Sequence, residues 1–253
     1  MLIQYVSDIH LEFMTKVPKI KVMADILCLA GDIGYPFSGI YKDFLISMNN
    51  TFKKVFLIAG NHEYYMMGKN TNRSMDEINT MIAQLIKIHN LTNVSFLNNS
   101  SELYNDYLFV GTTLWTKIPS MNMNDIAQMN DFRMIKTVSN GALLSYDTYN
   151  LLHIKNRNFI ENTLATNINK NKIIMMTHHL PSFKLIAEEY QYSDMNCFYA
   201  SECDKFFVEP IIAWIYGHTH TPNTTVINGI QFVCNPKGYP TENHIIKFVT
   251  IEV

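Results

Sequence analysis

Asp8 and His10 stand two residues apart just beyond the apolar run Leu2–Val6, and Asp32 follows Ile26–Ala30 after Gly31. Asn61 and His62 follow Val55–Ala59 after Gly60, His178 and His179 follow Ile173–Met176, and His218 and His220 follow Ile211–Tyr216 after Gly217. Each cluster alone has an ordinary explanation, since an Asp or Asn after a strand is commonly a turn residue or a helix cap, and a single His is commonly a satisfied structural group. Recurrence of the pattern at five run ends implies one shared site. Carboxylate, imidazole and amide donors together suit Mn, Fe, Zn or Ni, whereas all-oxygen sites suit Mg or Ca. Two such ions about 3.5–4 Å apart need a bridging carboxylate and would clamp the attacking and leaving oxygens of an in-line displacement at phosphorus. Asp32 is the candidate bridge. Water acidified by such a centre is hydroxide near neutral pH, so no protein nucleophile is required.

The runs that carry these residues are short, rich in β-branched side chains and ended abruptly by polar clusters, as buried strands are. Between them, Met75–His89 places Ile78, Ile82, Leu85 and Ile86 on one stripe, and Tyr146–Leu164 also has helical spacing. Strand and helix alternate, as in α/β folds, and the carboxyl ends of parallel strands gather along one edge where distant residues converge. After Tyr216 the chain changes to Thr224–Ile227, Asn228-Gly229, Ile230–Cys234 and Ile245–Val253, with Asn-Gly as a hairpin signal. Two sheets, one partly antiparallel, are expected. Pro119–Asp131 has the weakest pattern and is expected to be a mobile loop over the site.

The chain has 253 residues, of which 47% are hydrophobic and 17% charged, enough apolar mass for a sizeable core and too little charge for wholesale disorder. One domain spanning residues 1–253 is expected. A formal charge of -2 supplies no global positive field for a nucleic-acid polymer. Cys28, Cys197, Cys203 and Cys234 form no CxxC pair and read as free thiols in a reducing compartment. The start of the chain has no basic segment ahead of an apolar core, and no run approaches the ~18 residues that span a bilayer, so a cytoplasmic protein is expected.

The strings SDIH (7–10), AGDI (30–33), GNHEY (60–64), THH (177–179) and GHTH (217–220) resemble, in order and with nothing missing, those of the calcineurin-like metallophosphoesterases. The resemblance implies a four-layer αββα sandwich, two mixed β-sheets flanked by helices, with a dinuclear centre at the strand ends. It implies that Asp8, His10, Asp32 and His220 hold one divalent ion, and that Asp32, Asn61, His178 and His218 hold the other, with Mn favoured and Fe, Zn or Ni as alternatives. His62 falls on the position of the histidine that steadies the transition state or protonates the leaving oxygen. Chemistry alone does not separate His178 from His179; the resemblance favours His178 as the ligand and leaves His179 as a substrate contact.

GTTLWT (111–116), MNDFR (129–133), THHLPS (177–182) and NPKGYP (235–240) resemble a bacterial-type subgroup, which reads Arg where this chain has Lys237. Arg133 and Lys237 are candidate substrate contacts, and a solvated cation or a loop staple is the plain alternative for each. Tyr64, Tyr65 and Trp115 are candidates to stack a base or line a pocket, with core packing the commoner use. Asp131 is a candidate to orient a histidine, or a cap. The expected activity is hydrolysis of a phosphodiester or phosphomonoester by hydroxide at the dinuclear centre, with a small or cyclic nucleotide-type phosphodiester preferred. Phosphomonoesters, phosphoprotein included, come second; the GDxVDRG pattern of the protein phosphatases is absent, because Asp32 is followed by Ile33-Gly34-Tyr35. A non-catalytic scaffold for protein binding is the alternative from another class. No protein partner is evident.

Overall fold

A computed structural model describes residues 1–65, 72–138, 141–242 and 245–253. Strands β1 (Leu2–Val6), β2 (Ile26–Ala30), β3 (Lys54–Ile58) and β4 (Val94–Phe96) run parallel in the order β1-β2-β3-β4. The second sheet is built from β5 (Ser100–Tyr104), β6 (Tyr107–Thr112), β7 (Lys172–Thr177), β8 (Ile211–Tyr216), β9 (Asn223–Ile227) and β10 (Ile230–Cys234), in the order β5-β6-β7-β8-β10-β9. Its four inner strands are parallel and its two edges antiparallel. Strand β11 (Val249–Glu252) pairs antiparallel with β1 and closes the first sheet. Of the expected strand Ile245–Val253 only this stretch is paired.

The period of two along each strand sorts side chains between two packing layers. Ile3, Tyr5, Ile26, Cys28, Phe56 and Ile58 from the first sheet meet Phe109, Ile174, Met176, Ala213, Ile215 and Val233 from the second in one core. Phe56 and Phe109 stack across it with ring centroids 3.9 Å apart. The alternate residues Leu27, Leu29, Val55 and Leu57 face outward and are covered by α1 (Gly39–Thr51) and α2 (Met75–Ile88). Across the molecule, Ile173, Met175, Trp214 and Phe232 pack with Ile160 of α4 (Tyr146–Thr166). The short α3 spans Asp131–Met134. Helix, sheet, sheet and helix make the expected four-layer αββα sandwich.

Local chemistry explains where the elements begin. Ser74 caps α2 and shares a capping box with Glu77, so two orphan donors of the first turn are satisfied reciprocally. Asn228 (φ 52) and Gly229 (φ 80) turn β9 into β10, as an Asn-Gly hairpin requires. Pro119–Asp131, expected as a mobile loop over the site, winds into 3-10 turns over Ser120–Gln128. Asn122 holds it to Asp125 and to the Asp194 carbonyl.

Candidate metal centre

Every cluster leaves the carboxyl end of a parallel strand. Asp8, His10, Asp32, Asn61 and His62 come from β1, β2 and β3 of one sheet, and His178, His218 and His220 from β7 and β8 of the other. Five of these residues, Asp8, His10, Asp32, His218 and His220, have φ between 51° and 71°. Asp and His tolerate this left-handed region better than most side chains, and the bend turns the chain sharply so that its side chain faces the rim. Backbone bonds over-determine the bends: Asp8 N–H donates to Gly31 O at 3.0 Å, His10 N–H to Asp32 O at 3.0 Å, and Gly238 N–H to Asp8 O at 2.9 Å. Glycine supplies the clearance, since a Cβ on Gly60 would stand 2.2 Å from Asp32 Oδ1.

Two donors each about 2.1 Å from one cation stand about 3.0 Å apart at a right angle and about 3.4 Å apart at the tetrahedral angle. The observed separations fall close to those edges. His10 Nε2 is 3.1 Å from His220 Nε2, which is 3.5 Å from Asp8 Oδ1. His178 Nε2 is 3.1 Å from Asn61 Oδ1 and 3.3 Å from Asp32 Oδ1. Among the described residues three ligand groups close together, Asp8-His10-His220, His10-Asp32-His62 and Asp32-His178-His218, and Asp32 and His10 each belong to two of them. His218 Nε2 is shielded from solvent and has no hydrogen-bond partner, a cost that a cation would remove. The donor set and its spacing therefore fit two divalent cations.

Outer partners hold the rings. His178 Nδ1 donates to Ala30 O at 2.9 Å, His10 Nδ1 to Glu12 Oε1 at 2.9 Å, and His220 Nδ1 to Glu242 Oε2 at 3.0 Å. Each bond leaves Nε2 facing the site, the arrangement that metal-bound histidines ordinarily show. Asn61 Nδ2 donates to Asp131 Oδ1 at 2.9 Å, which turns the amide oxygen inward, and Tyr65 donates to the same carboxylate oxygen at 2.7 Å. Asp131 thus orients Asn61 and Tyr65, and no histidine. Glu63, fully buried, accepts from the backbone N–H groups of Asp32, Ile33 and Gly60 at 3.0, 2.7 and 2.7 Å, tying the loop after β2 to the loop after β3. Glu12, Glu63, Tyr239 and Glu242 were not singled out from the sequence. Glu12 follows SDIH by two positions, and Glu63 and Tyr239 lie inside the GNHEY and NPKGYP strings, which was the available signal.

The electrostatics agree with a cation site. Burial works to raise the pKa of Asp32, and the imidazoles of His178, His62 and His10 outweigh it, holding the carboxyl well below its ordinary range. Asp8 is lowered against burial by its bond to His220 and by that ring's charge. Burial lowers His178, and the Asp32 carboxylate overcomes it, raising the ring to about 10.

His62 is held from both sides. Its Nδ1 donates to Glu12 Oε1 at 2.9 Å, and its Nε2 accepts from the Tyr239 hydroxyl at 2.9 Å. His179 is buried, with Nδ1 on Thr113 O at 3.2 Å and its ring 5.3 Å from Trp115; burial and the neighbouring His178 push it down to about 3. It joins none of the ligand groups found among the described residues. Arg133 is exposed and donates to Gln128 O and Asn130 Oδ1, and Lys237 donates to Gly238 O. None of His179, Arg133 and Lys237 lines the cleft that opens over the centre. That cleft, about 530 Å³, is lined by Asp32, Asn61, His62, His218 and His220 on its floor and by Tyr65, Met129, Tyr190, Met195 and Tyr199 among its other residues. Tyr64 and Trp115 pack in the core.

The arrangement defines a metal-binding hydrolase site on a metallophosphoesterase fold. The family profile "Calcineurin-like phosphoesterase" matches residues 1–222, and the chain belongs to that family. It is 30% identical over 265 residues to the uncharacterized protein L509 of Acanthamoeba polyphaga mimivirus, covering 96% of this chain and 93% of that protein. Its fold is similar to that of the phosphopantetheinyl hydrolase PptH of Mycobacterium tuberculosis, with a TM-score of 0.69, 16% identity, and 95% and 90% of the two chains covered. The protein is a metal-dependent hydrolase acting on phosphoric esters.

Proposed function

We propose that the protein hydrolyses a small phosphodiester, nucleotide-type or cyclic, at two divalent cations. Asp8, His10, Asp32 and His220 would hold one ion, and Asp32, Asn61, His178 and His218 the other. The observation that carries this reading is the cleft itself, whose lining joins the candidate ligands Asp32, Asn61, His218 and His220 to His62 and mixes tyrosine and methionine side chains with polar groups such as Asn130, Asn196 and Glu242. A volume of about 530 Å³ suits a small substrate. Mn is the proposed metal, because the donors are carboxylate, imidazole and amide, and Fe, Zn and Ni share that preference.

Two bound divalent cations supply Lewis acidity toward a phosphoryl oxygen and deprotonate water near neutral pH. The chain's own residues do the rest. Asp32 would give both ions one shared carboxylate. His62, fixed by Glu12, presents Nε2 toward the cleft, where the Tyr239 hydroxyl marks the position of an oxygen it can exchange a proton with. Tyr65 and Tyr199 line the cleft, their rings packed 4.2 Å from His62 and 4.9 Å from His218, and add apolar surface beside the candidate ligands.

The test is a screen of phosphodiesters and phosphomonoesters with Mn, Fe, Ni and Zn added separately. Turnover of a nucleotide phosphodiester at least tenfold above the matching monoester, lost in Asp32→Asn and reduced in His62→Asn with metal retained, is the expected result. Faster hydrolysis of monoesters overturns the diester preference. A protein that binds no metal and turns over neither class is a scaffold.

A further inference from the structure

Glu12 lies between two histidines that have different work. Its Oε1 accepts from Nδ1 of His10 and from Nδ1 of His62, both at 2.9 Å, and its side chain is only 3% exposed. Its other oxygen, Oε2, is shielded from solvent without a partner. The two imidazole rings meet edge to face with centroids 4.5 Å apart. Burial acts to raise the Glu12 pKa, and the bonds from His10 and His62 outweigh it, so the group stays a carboxylate and accepts both protons.

One oxygen receiving two N–H groups fixes two tautomers at once. His10 must keep its proton on Nδ1 and turn its Nε2 lone pair toward His220 and Asp32, 3.1 and 4.0 Å away. His62 must do the same and turn Nε2 toward Tyr239 Oη and Asp32 Oδ2, 2.9 and 3.9 Å away. The backbone commits Glu12 to this place. His10 bends through the left-handed region, Leu11–Phe13 forms one 3-10 turn, and Leu11 N–H is anchored on Ile33 O at 2.9 Å.

We propose that Glu12 is a positioning residue that couples the first metal position to His62, through the single oxygen that both rings share. A cation held by His10 Nε2 would polarise that ring and strengthen its Nδ1–H bond to Oε1, changing the share of that oxygen left for His62. Loss of Glu12 therefore weakens metal binding and turnover together. The inference rests on the reading above for the work of His62, and its metal half is measured without any substrate.

The experiment compares wild type, Glu12→Gln, Glu12→Ala, His62→Asn and the double variant Glu12→Ala/His62→Asn in the full chain. Mn affinity is read by chelator competition, kcat and KM at saturating Mn, and folding by thermal melting. Glu12→Ala is expected to weaken Mn binding by about 10–100-fold and to lower kcat at saturating Mn with KM nearly unchanged. Glu12→Gln keeps an oxygen in place without the charge and should fall between wild type and alanine on both scales. The double variant at saturating Mn should be no slower than His62→Asn alone. Unchanged Mn affinity in both Glu12 variants, a loss on one scale only, or full additivity with His62→Asn would overturn the coupling. Absence of any phosphoester turnover in wild type, with Mn affinity still falling in the Glu12 variants, sinks the assignment of His62 and keeps Glu12 as the partner of His10.

Discussion

Protons and cations compete for the same atoms at this site. His178 rises to about 10 and His220 to about 9, in each case because facing carboxylates outweigh burial, so both rings are protonated at neutral pH when they face only Asp32, Asp8 and Glu242. A metal ligand must be neutral imidazole, and each ion that binds must therefore expel a proton. Calorimetry in buffers of different ionisation enthalpy should show net proton release at pH 7, and apparent affinity should rise as pH goes from 6 towards 9. Binding with no proton exchange would contradict this picture. His179 gives the contrast: at about 3 it is neutral throughout, and its Nδ1 is spent on a carbonyl. His178→Ala should lower bound metal from two equivalents towards one, and His179→Ala should keep both, as read by elemental analysis after gel filtration. The candidate ligands were legible in the sequence because all lie within four positions of a strand end, most of them one or two positions beyond that end or a glycine. The contacts of Glu242 and Tyr239 were not, since their partners lie 22 and 177 residues away and only the folded chain brings them together.

At the scale of elements, the loops after the strands act as rigid brackets, and glycine sets their spacing. Gly60 separates β3 from Asn61, and a methyl there would press on Asp32 Oδ1 at 2.2 Å and on His178 Cε1 at 2.7 Å, one group from each sheet. Neither neighbour is the free end of a flexible side chain; both are held by hydrogen bonds, Asp32 through the His62 N–H and His178 through Ala30 O. Gly60→Ala should therefore cost about 1–3 kcal/mol in denaturant unfolding, in the range of an overpacked core, and should reduce metal content as well. A variant of full stability with two equivalents of metal would show that the bracket yields. β1, β2, β3, β7 and β8 were legible as β-branched runs with abrupt ends, and α2 and α4 as helical stripes, whereas the largely buried β6 and the helix α1 were not singled out. β4 and β5 were not singled out: β4 spans only three residues, and β5 alternates half-buried and exposed side chains. Such a strand is specified by its neighbour more than by its own composition.

Across the whole molecule, the centre sits at the rim of two sheets that meet through apolar contact and through polar links such as Asn235 Nδ2 to Tyr5 O and Thr113 Oγ1 to Ala59 O. Asp8, His10, Asp32 and Asn61 belong to the first sheet and His178, His218 and His220 to the second, so a cation held by His10 and His220, or by Asn61 and His178, is bound from both sides of the sandwich. An ion that binds only the folded arrangement stabilises it by mass action, by about 2.7 kcal/mol at a concentration a hundredfold above its dissociation constant. For a chain of this size that corresponds to a rise in melting temperature of roughly 5–10 °C. Scanning calorimetry with and without Mn, after chelator treatment, should show that rise in wild type and most of it gone in Asp32→Asn, whose shared carboxylate serves both ions. Phe109→Ala is the control for the apolar seam. It removes the stack on Phe56, 3.9 Å away, and should cost about 3–5 kcal/mol. Its response to Mn should stay near that of wild type, because the seam and the metal stabilise the same pair of sheets through separate contacts. A wild type whose melting is indifferent to Mn, while elemental analysis finds the metal bound, would mean that the ions bind the unfolded chain as well as the folded one.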